Sequence, residues 1–318
     1  MKTEDALREW GDYQGRQDKP DDFDDFWDKA KKEVDSLGLH YELTPTDFTS
    51  KVAECYDLYF TGVHESKIYA QLLLPKKSSA KHPVIFQFHG YHSDVGDWSD
   101  KLAFVSEGYV VVALSVRGQG GESEDRLQTS GGTLKGHLIR GIEDGPEKLF
   151  YRSVFQDVYQ LTNVVSRLPF VDSSKMASYG VSQGGALALV CAALCPKVKR
   201  TFVQYPFLSD YRTAYGLEVT QSAYEELAYY FRYRDPLHER EEAVFAALDY
   251  VDIQYLVDRI QAEVIWAMGL EDRVCHPKTQ FAVYNHIQAP KKLYFYPEYG
   301  HEYLPKFNDK VHQILGGK

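Results

Sequence analysis

The chain has 318 residues, 44% hydrophobic and 26% charged, with a formal net charge of −10. That length suits one large α/β domain or two small ones, and the acidic balance argues against nucleic acid, which needs a basic surface. No run approaches the roughly 18 apolar residues of a membrane helix, so no membrane partner is expected.

Residues 1–40 read as an N-terminal helical extension, because Phe23, Phe26, Trp27, Ala30 and Val34 share one face of a helix over 22–38. Residues 47–74 alternate between apolar and polar and read as antiparallel strands at a sheet edge. From Pro83 the pattern changes to short, nearly continuous apolar strands at 84–88, 109–114, 176–181, 201–204, 264–268 and 293–296. Helical stretches at about 99–107, 146–167, 185–195 and 278–288 separate most of them. Buried strands alternating with helices predict an α/β fold, a mainly parallel twisted sheet flanked by helices, in one domain over 1–318. Residues 207–260 interrupt the alternation with helices expected at 217–231 and 240–248. This insertion either caps the carboxyl ends of the strands or covers the sheet flank; the cap is the preferred reading.

The most informative stretch is Gly180-Val181-Ser182-Gln183-Gly184. It fits G-x-S-x-G, with an apolar strand before it and a small-residue helix after it, the setting that exposes a serine nucleophile. Gly180 and Gly184 meet the need for a tight turn without Cβ atoms. A serine hydroxyl needs a base within reach, and the base needs a carboxylate that fixes its tautomer. The strand at 264–268 runs into Asp272, and the strand at 293–296 runs into His301, which is expected to open the C-terminal helix. Asp272 is the expected acid, with Glu271 a weak competitor, and His301 the expected base. His276 reads as a loop residue and His137 as a surface one.

An oxyanion hole would use the backbone N–H of Gln183 and that of Tyr91, in the loop Phe88-His89-Gly90-Tyr91-His92, where Gly90 lets the backbone come close. His89 and His92 read as packing or capping residues, and a metal site built on them with Asp94 is a weak alternative. No metal and no cofactor is expected. Arg117, in Arg117-Gly118-Gln119-Gly120, either pairs with a buried acid or meets substrate; the architectural role is preferred. The cysteines at 55, 191, 195 and 275 form no metal-ligand pattern, and Cys191 and Cys195, a helical turn apart, read as buried packing. The opening MKTEDALREWGDYQG is charged and lacks an apolar stretch, so a cytoplasmic protein is expected.

Arg117-Gly118-Gln119, Gly180-x-Ser182-Gln183-Gly184 and His301-Glu302, in this order and spacing, resemble the acetyl xylan esterase and cephalosporin C deacetylase family, carbohydrate esterase family seven. Asp22-Phe23-x-x-Phe26-Trp27, Gly269-Leu270-x-Asp272, Tyr284-Asn285-His286 and Gly300-His301-Glu302-Tyr303 extend the likeness over nearly the whole chain. The resemblance implies an α/β-hydrolase fold and a catalytic triad of Ser182, Asp272 and His301, with Tyr91 and Gln183 as oxyanion donors. It also implies hydrolysis of small acetyl esters, on acetylated xylo-oligosaccharides and cephalosporin C, by a cytoplasmic hexamer. A broader carboxylesterase or thioesterase on longer acyl chains, or a silent hydrolase fold used for binding, is the alternative. One departure stands out: the family usually carries two prolines after the cysteine of the acid loop, and here the run is Cys275-His276-Pro277.

Overall fold

Among the described residues nine strands form one sheet: β1 (Tyr41–Pro45), β2 (Ala53–Thr61), β3 (Lys67–Pro75), β4 (His82–Phe88), β5 (Val110–Leu114), β6 (Val171–Val181), β7 (Val198–Gln204), β8 (Glu263–Gly269) and β9 (Lys291–Tyr296). Their spatial order is β1-β2-β3-β5-β4-β6-β7-β8-β9. The pairs from β1 to β5 are antiparallel, and from β5 through β4 and β6 to β9 every pair is parallel. This computed structural model describes residues 1–76, 81–131, 135–217 and 224–317.

Among the described residues ten α-helices accompany the sheet: α1 (Thr3–Trp10), α2 (Phe23–Ser36), α3 (Leu102–Ser106), α4 (Phe150–Val165), α5 (Gln183–Leu194), α6 (Tyr211–Gly216), α7 (Glu225–Tyr233), α8 (Glu241–Leu248), α9 (Pro277–His286) and α10 (Phe307–Leu315). Every residue of α5 is buried, as expected for a helix that is apolar on all sides and sits between sheet and outer helices. All five residues of β5 are buried as well, which fits a strand covered on both faces. The amphipathic α2 buries Phe23, Phe26, Trp27, Ala30 and Val34. Trp27 stacks on Phe155 of α4 at 5.4 Å between ring centroids, and its indole N–H donates to the carbonyl of Tyr250 at 2.9 Å. The N-terminal extension is thereby joined to both the sheet-covering layer and the insertion.

Several expected boundaries shift. The strand pattern begins at Ala53 rather than 47, and the exposed edge strand β1 adds to it. The helix expected from 146 starts at Phe150, after a 3-10 turn over Pro146–Lys148. Of the expected helix over 217–231, residues 218–223 lie outside the described residues, and α7 occupies the remainder. His301 does not open the last helix. α10 begins at Phe307, after Pro305, because a proline disfavours helical geometry in the residue before it.

Candidate active site

The segments that follow β6, β8 and β9 bring Ser182, Asp272 and His301 together at the carboxyl edge of the parallel strands, the usual ligand position in an open parallel sheet. Ser182 sits between β6 and α5 with φ 57° and ψ −120°. A non-glycine residue there is strained by on the order of 1–3 kcal/mol, and persists only where its surroundings over-determine it. They do so here. The Ser182 N–H donates to the Gln204 carbonyl at 3.0 Å, and its own carbonyl accepts from Ala186 at 3.1 Å and Phe207 at 3.2 Å. A Cβ on Gly180 would lie 1.9 Å from the Gly184 carbonyl oxygen, so the turn closes only around glycine.

The Ser182 Oγ is 3.0 Å from His301 Nε2, and His301 Nδ1 is 2.9 Å from Asp272 Oδ2. Asp272 is 1% exposed. Its other oxygen accepts the backbone N–H groups of Val274 and Cys275, both at 2.8 Å. Carboxylate oxygens only accept when ionised, so Asp272 assigns the proton to Nδ1 and leaves Nε2 free to take the serine proton. Glu271 bonds the N-terminal amine instead of His301. The acid and base loops touch: Glu271 N–H donates to the Tyr299 carbonyl at 2.9 Å. The Tyr205 ring lies 4.5 Å from the imidazole of His301, and its hydroxyl donates to the Glu302 carbonyl at 2.8 Å.

The loop after β4 is fastened to the elbow by side-chain amides. Gln119 Nε2 donates to Gln183 Oε1 at 2.7 Å, and Gln183 Nε2 donates back to Gln119 Oε1 at 3.0 Å. Gln183 Nε2 also reaches the carbonyls of His89 and Gly90 at 3.3 and 3.4 Å, while Tyr151 donates to Gln183 Oε1 at 2.9 Å. Residue patterns assign Gln183 only a backbone role; its buried amide is a second contribution, and the one sequence signal is that a glutamine stands in each of the two motifs, Gln119 in R-G-Q and Gln183 in S-Q-G. His89 is architectural. Its Nδ1 contacts the Gly90 carbonyl at 2.8 Å and its Nε2 accepts from Val116 N–H at 2.9 Å, and burial lowers its basicity. Among the described residues no group of three or more His, Cys, Asp or Glu is placed to hold a metal ion.

Arg117 is fully buried beneath the site. Its guanidinium grips Asp157 through two bonds of 2.6 and 2.7 Å and donates to the Val63 carbonyl at 3.2 Å. A planar fork on a carboxylate suits a buried structural pair. His137 is not a surface residue. Its ring stacks on Phe150 at 4.3 Å, its Nδ1 is buried without a hydrogen bond, and burial pushes its pKa down to about 4. His276 is more than a loop residue: its Nδ1 accepts from Lys278 N–H at 3.1 Å, capping α9, and its ring meets Trp10 of α1 edge-on at 5.2 Å. Cys275 is buried, and burial pushes its thiol pKa well up. Glu226, which residue patterns did not single out, accepts the Tyr91 hydroxyl at 2.5 Å.

A sheet of this order, with a serine, histidine and aspartate hydrogen-bonded at its carboxyl edge, defines an α/β-hydrolase-fold protein of the serine type. The family model described as acetyl xylan esterase matches residues 1–317, and the chain belongs to that family. It is 44% identical to acetyl xylan esterase 1 from Thermoanaerobacterium sp. JW/SL YS485, with a TM-score of 0.94 over 99% of this chain and 98% of that one. The acetyl xylan esterase from Paenibacillus sp. R4 is 33% identical, with a TM-score of 0.93 over 99% of both chains. Acetyl esterase Axe7A of Xylanibacter ruminicola is 26% identical over 284 residues; the match spans 87% of this chain but only 62% of that relative's length. An acylaminoacyl peptidase shares the fold alone, at 18% identity and a TM-score of 0.60.

Proposed function

We propose that the protein is a serine esterase that removes acetyl groups from small acetylated substrates through an acetyl-enzyme. The observation that carries this reading is the continuous chain of hydrogen bonds from Asp272 through His301 to Ser182 in a chain of the acetyl xylan esterase family. His301 takes the serine proton as Oγ attacks the acetyl carbonyl. The backbone N–H groups of Tyr91 and Gln183 stabilise the tetrahedral oxyanion, and His301 then protonates the departing sugar oxygen. Water activated by the same imidazole adds to the acetyl-enzyme and releases acetate. The scheme moves only an acyl group and protons between named groups, so it calls for no cofactor.

Acetylated xylo-oligosaccharides and cephalosporin C are the proposed substrates, on the strength of the resemblance and of the relatives named acetyl xylan esterases. Residues 1–318 are proposed as one domain, with 1–40 as an extension and 207–260 as a cap; contacts of Phe207 with Ser182 and of Glu226 with Tyr91 support the cap. Among the described residues no helix is long and apolar enough to cross a membrane. A cytoplasmic hexamer remains the proposed setting, by family resemblance. The test is the rate on p-nitrophenyl esters of increasing acyl length. A sharp preference for acetate is expected; equal or better rates on longer chains would reject deacetylation while keeping the hydrolase chemistry.

A further inference from the structure

Glu226 lies on α7, in the insertion, yet its carboxylate reaches the loop that carries the proposed oxyanion donor. It is 2% exposed. One oxygen accepts the Tyr91 hydroxyl at 2.5 Å and the other accepts the Leu138 backbone N–H at 2.7 Å. The Tyr91 hydroxyl accepts in turn from the His137 N–H at 2.8 Å. Gly136, at φ +89°, makes room for the carboxylate, since a Cβ there would lie 1.8 Å from the Glu226 carboxyl carbon. One side chain therefore gathers three segments: the loop after β4, residues 136–138 and α7. Among the described residues no cation pairs with Glu226; the neighbouring Lys135 bonds Glu225 instead.

We propose that Glu226 is a positioning residue for ester hydrolysis, holding Tyr91 by its ring so that the Tyr91 backbone N–H stays aimed at the oxyanion. The inference rests on the function proposed above. A tyrosine has few rotatable bonds, so fixing its hydroxyl and packing its ring constrain the backbone that bears it. The ring is stacked by His92 at 3.9 Å and flanked by Phe207 at 5.9 Å. An apolar contact would tether the insertion without the desolvation cost of an unpaired carboxylate. A charge-assisted bond adds a directional hold on the hydroxyl that an apolar contact lacks.

The arrangement has a pH signature. Burial pushes the Glu226 pKa up to about 7, with Glu225 raising it further and Lys135, Tyr91 and the Leu138 N–H opposing. The ionised carboxylate accepts from both donors. Protonation places an O–H where an acceptor is needed, so the clamp tightens as pH rises through about 7 and loosens below it. The surrounding imidazoles do not mimic this. Burial holds His137 down to about 4 and also lowers His92.

The experiment measures kcat and KM on p-nitrophenyl acetate across pH for wild type, Glu226→Gln, Tyr91→Phe, their double variant and Ser182→Ala. In Glu226→Gln an amide N–H₂ or a weaker acceptor meets each donor; in Tyr91→Phe only the hydroxyl is lost. Either single variant should lower kcat roughly tenfold, less than the ~10²–10³ lost with an oxyanion donor, and shift KM less than about twofold. The double variant should be no worse than the single ones, and the pH profile of Glu226→Gln should lose the component near 7 that belongs to Glu226 while keeping the limb set by the base His301, which all variants share. Folded single variants that both keep kcat within about twofold overturn the inference, as does a loss in Glu226→Gln that Tyr91→Phe does not share. An active Ser182→Ala would instead overturn the proposed function beneath it.

Discussion

A Cβ on Gly184 would stand 1.9 Å from the carbonyl oxygen of Phe88 and 3.1 Å from that of His89. The first turn of α5 and the end of β4 are therefore in direct backbone contact. In the proposed mechanism this contact is what would hold the Gln183 N–H and the Tyr91 loop together as two donors to a single oxyanion.

Gly184→Ala should fail at this contact. Backbone atoms cannot rotate away as a flexible side-chain end can, so strand and helix must part. The expected cost is about 3 kcal/mol, typical of severe overpacking, read as a lower urea midpoint. Turnover of the remaining folded protein should fall as well, because the two proposed oxyanion donors separate.

Asp272→Asn is nearly isosteric but presents an amide in place of one carboxylate oxygen. If the amide oxygen keeps the bonds from Val274 and Cys275, its N–H₂ faces His301 Nδ1 and forces the wrong imidazole tautomer. Steady-state kinetics near neutral pH should show kcat reduced by roughly 10⁴. A loss below tenfold would leave Asp272 as a structural group only.

The backbone of Ser182 offers a separate test through stability. Its φ of 57° and ψ of −120° suit glycine better than any residue with a Cβ. Ser182→Gly relieves strain of about 1–3 kcal/mol and gives back about 0.4–1 kcal/mol through a freer unfolded chain. The glycine variant should thus be about 1 kcal/mol more stable than Ser182→Ala in matched thermal or urea unfolding. Equal stabilities would limit the strain to the roughly 0.4–1 kcal/mol that the freer unfolded chain offsets.

What the sequence made legible follows from where the controlling forces are local. The elbow is readable because its glycines answer short-range collisions within Gly180–Gly184. Asp272 and His301 are readable because each follows an apolar strand, and parallel strands place their ends on one edge. The edge strand β1 has no buried face to impose alternation. Glu226 meets Tyr91 across 135 residues, so no local periodicity signals it. His137 reads as exposed for the same reason: Phe150 covers it from another element. For Arg117 the sequence favours the architectural role without naming its partner, which is Asp157, forty residues away on α4.

Whether Ser182 carries the acyl group is read from the rate of p-nitrophenyl acetate hydrolysis in wild type and Ser182→Ala, with circular dichroism establishing that both are folded. Wild type should hydrolyse the ester rapidly, and the rate should fall by roughly 10⁴ or more in the variant, to what the oxyanion donors and binding supply alone. A folded Ser182→Ala that hydrolyses the ester at the wild-type rate would contradict that role of Ser182.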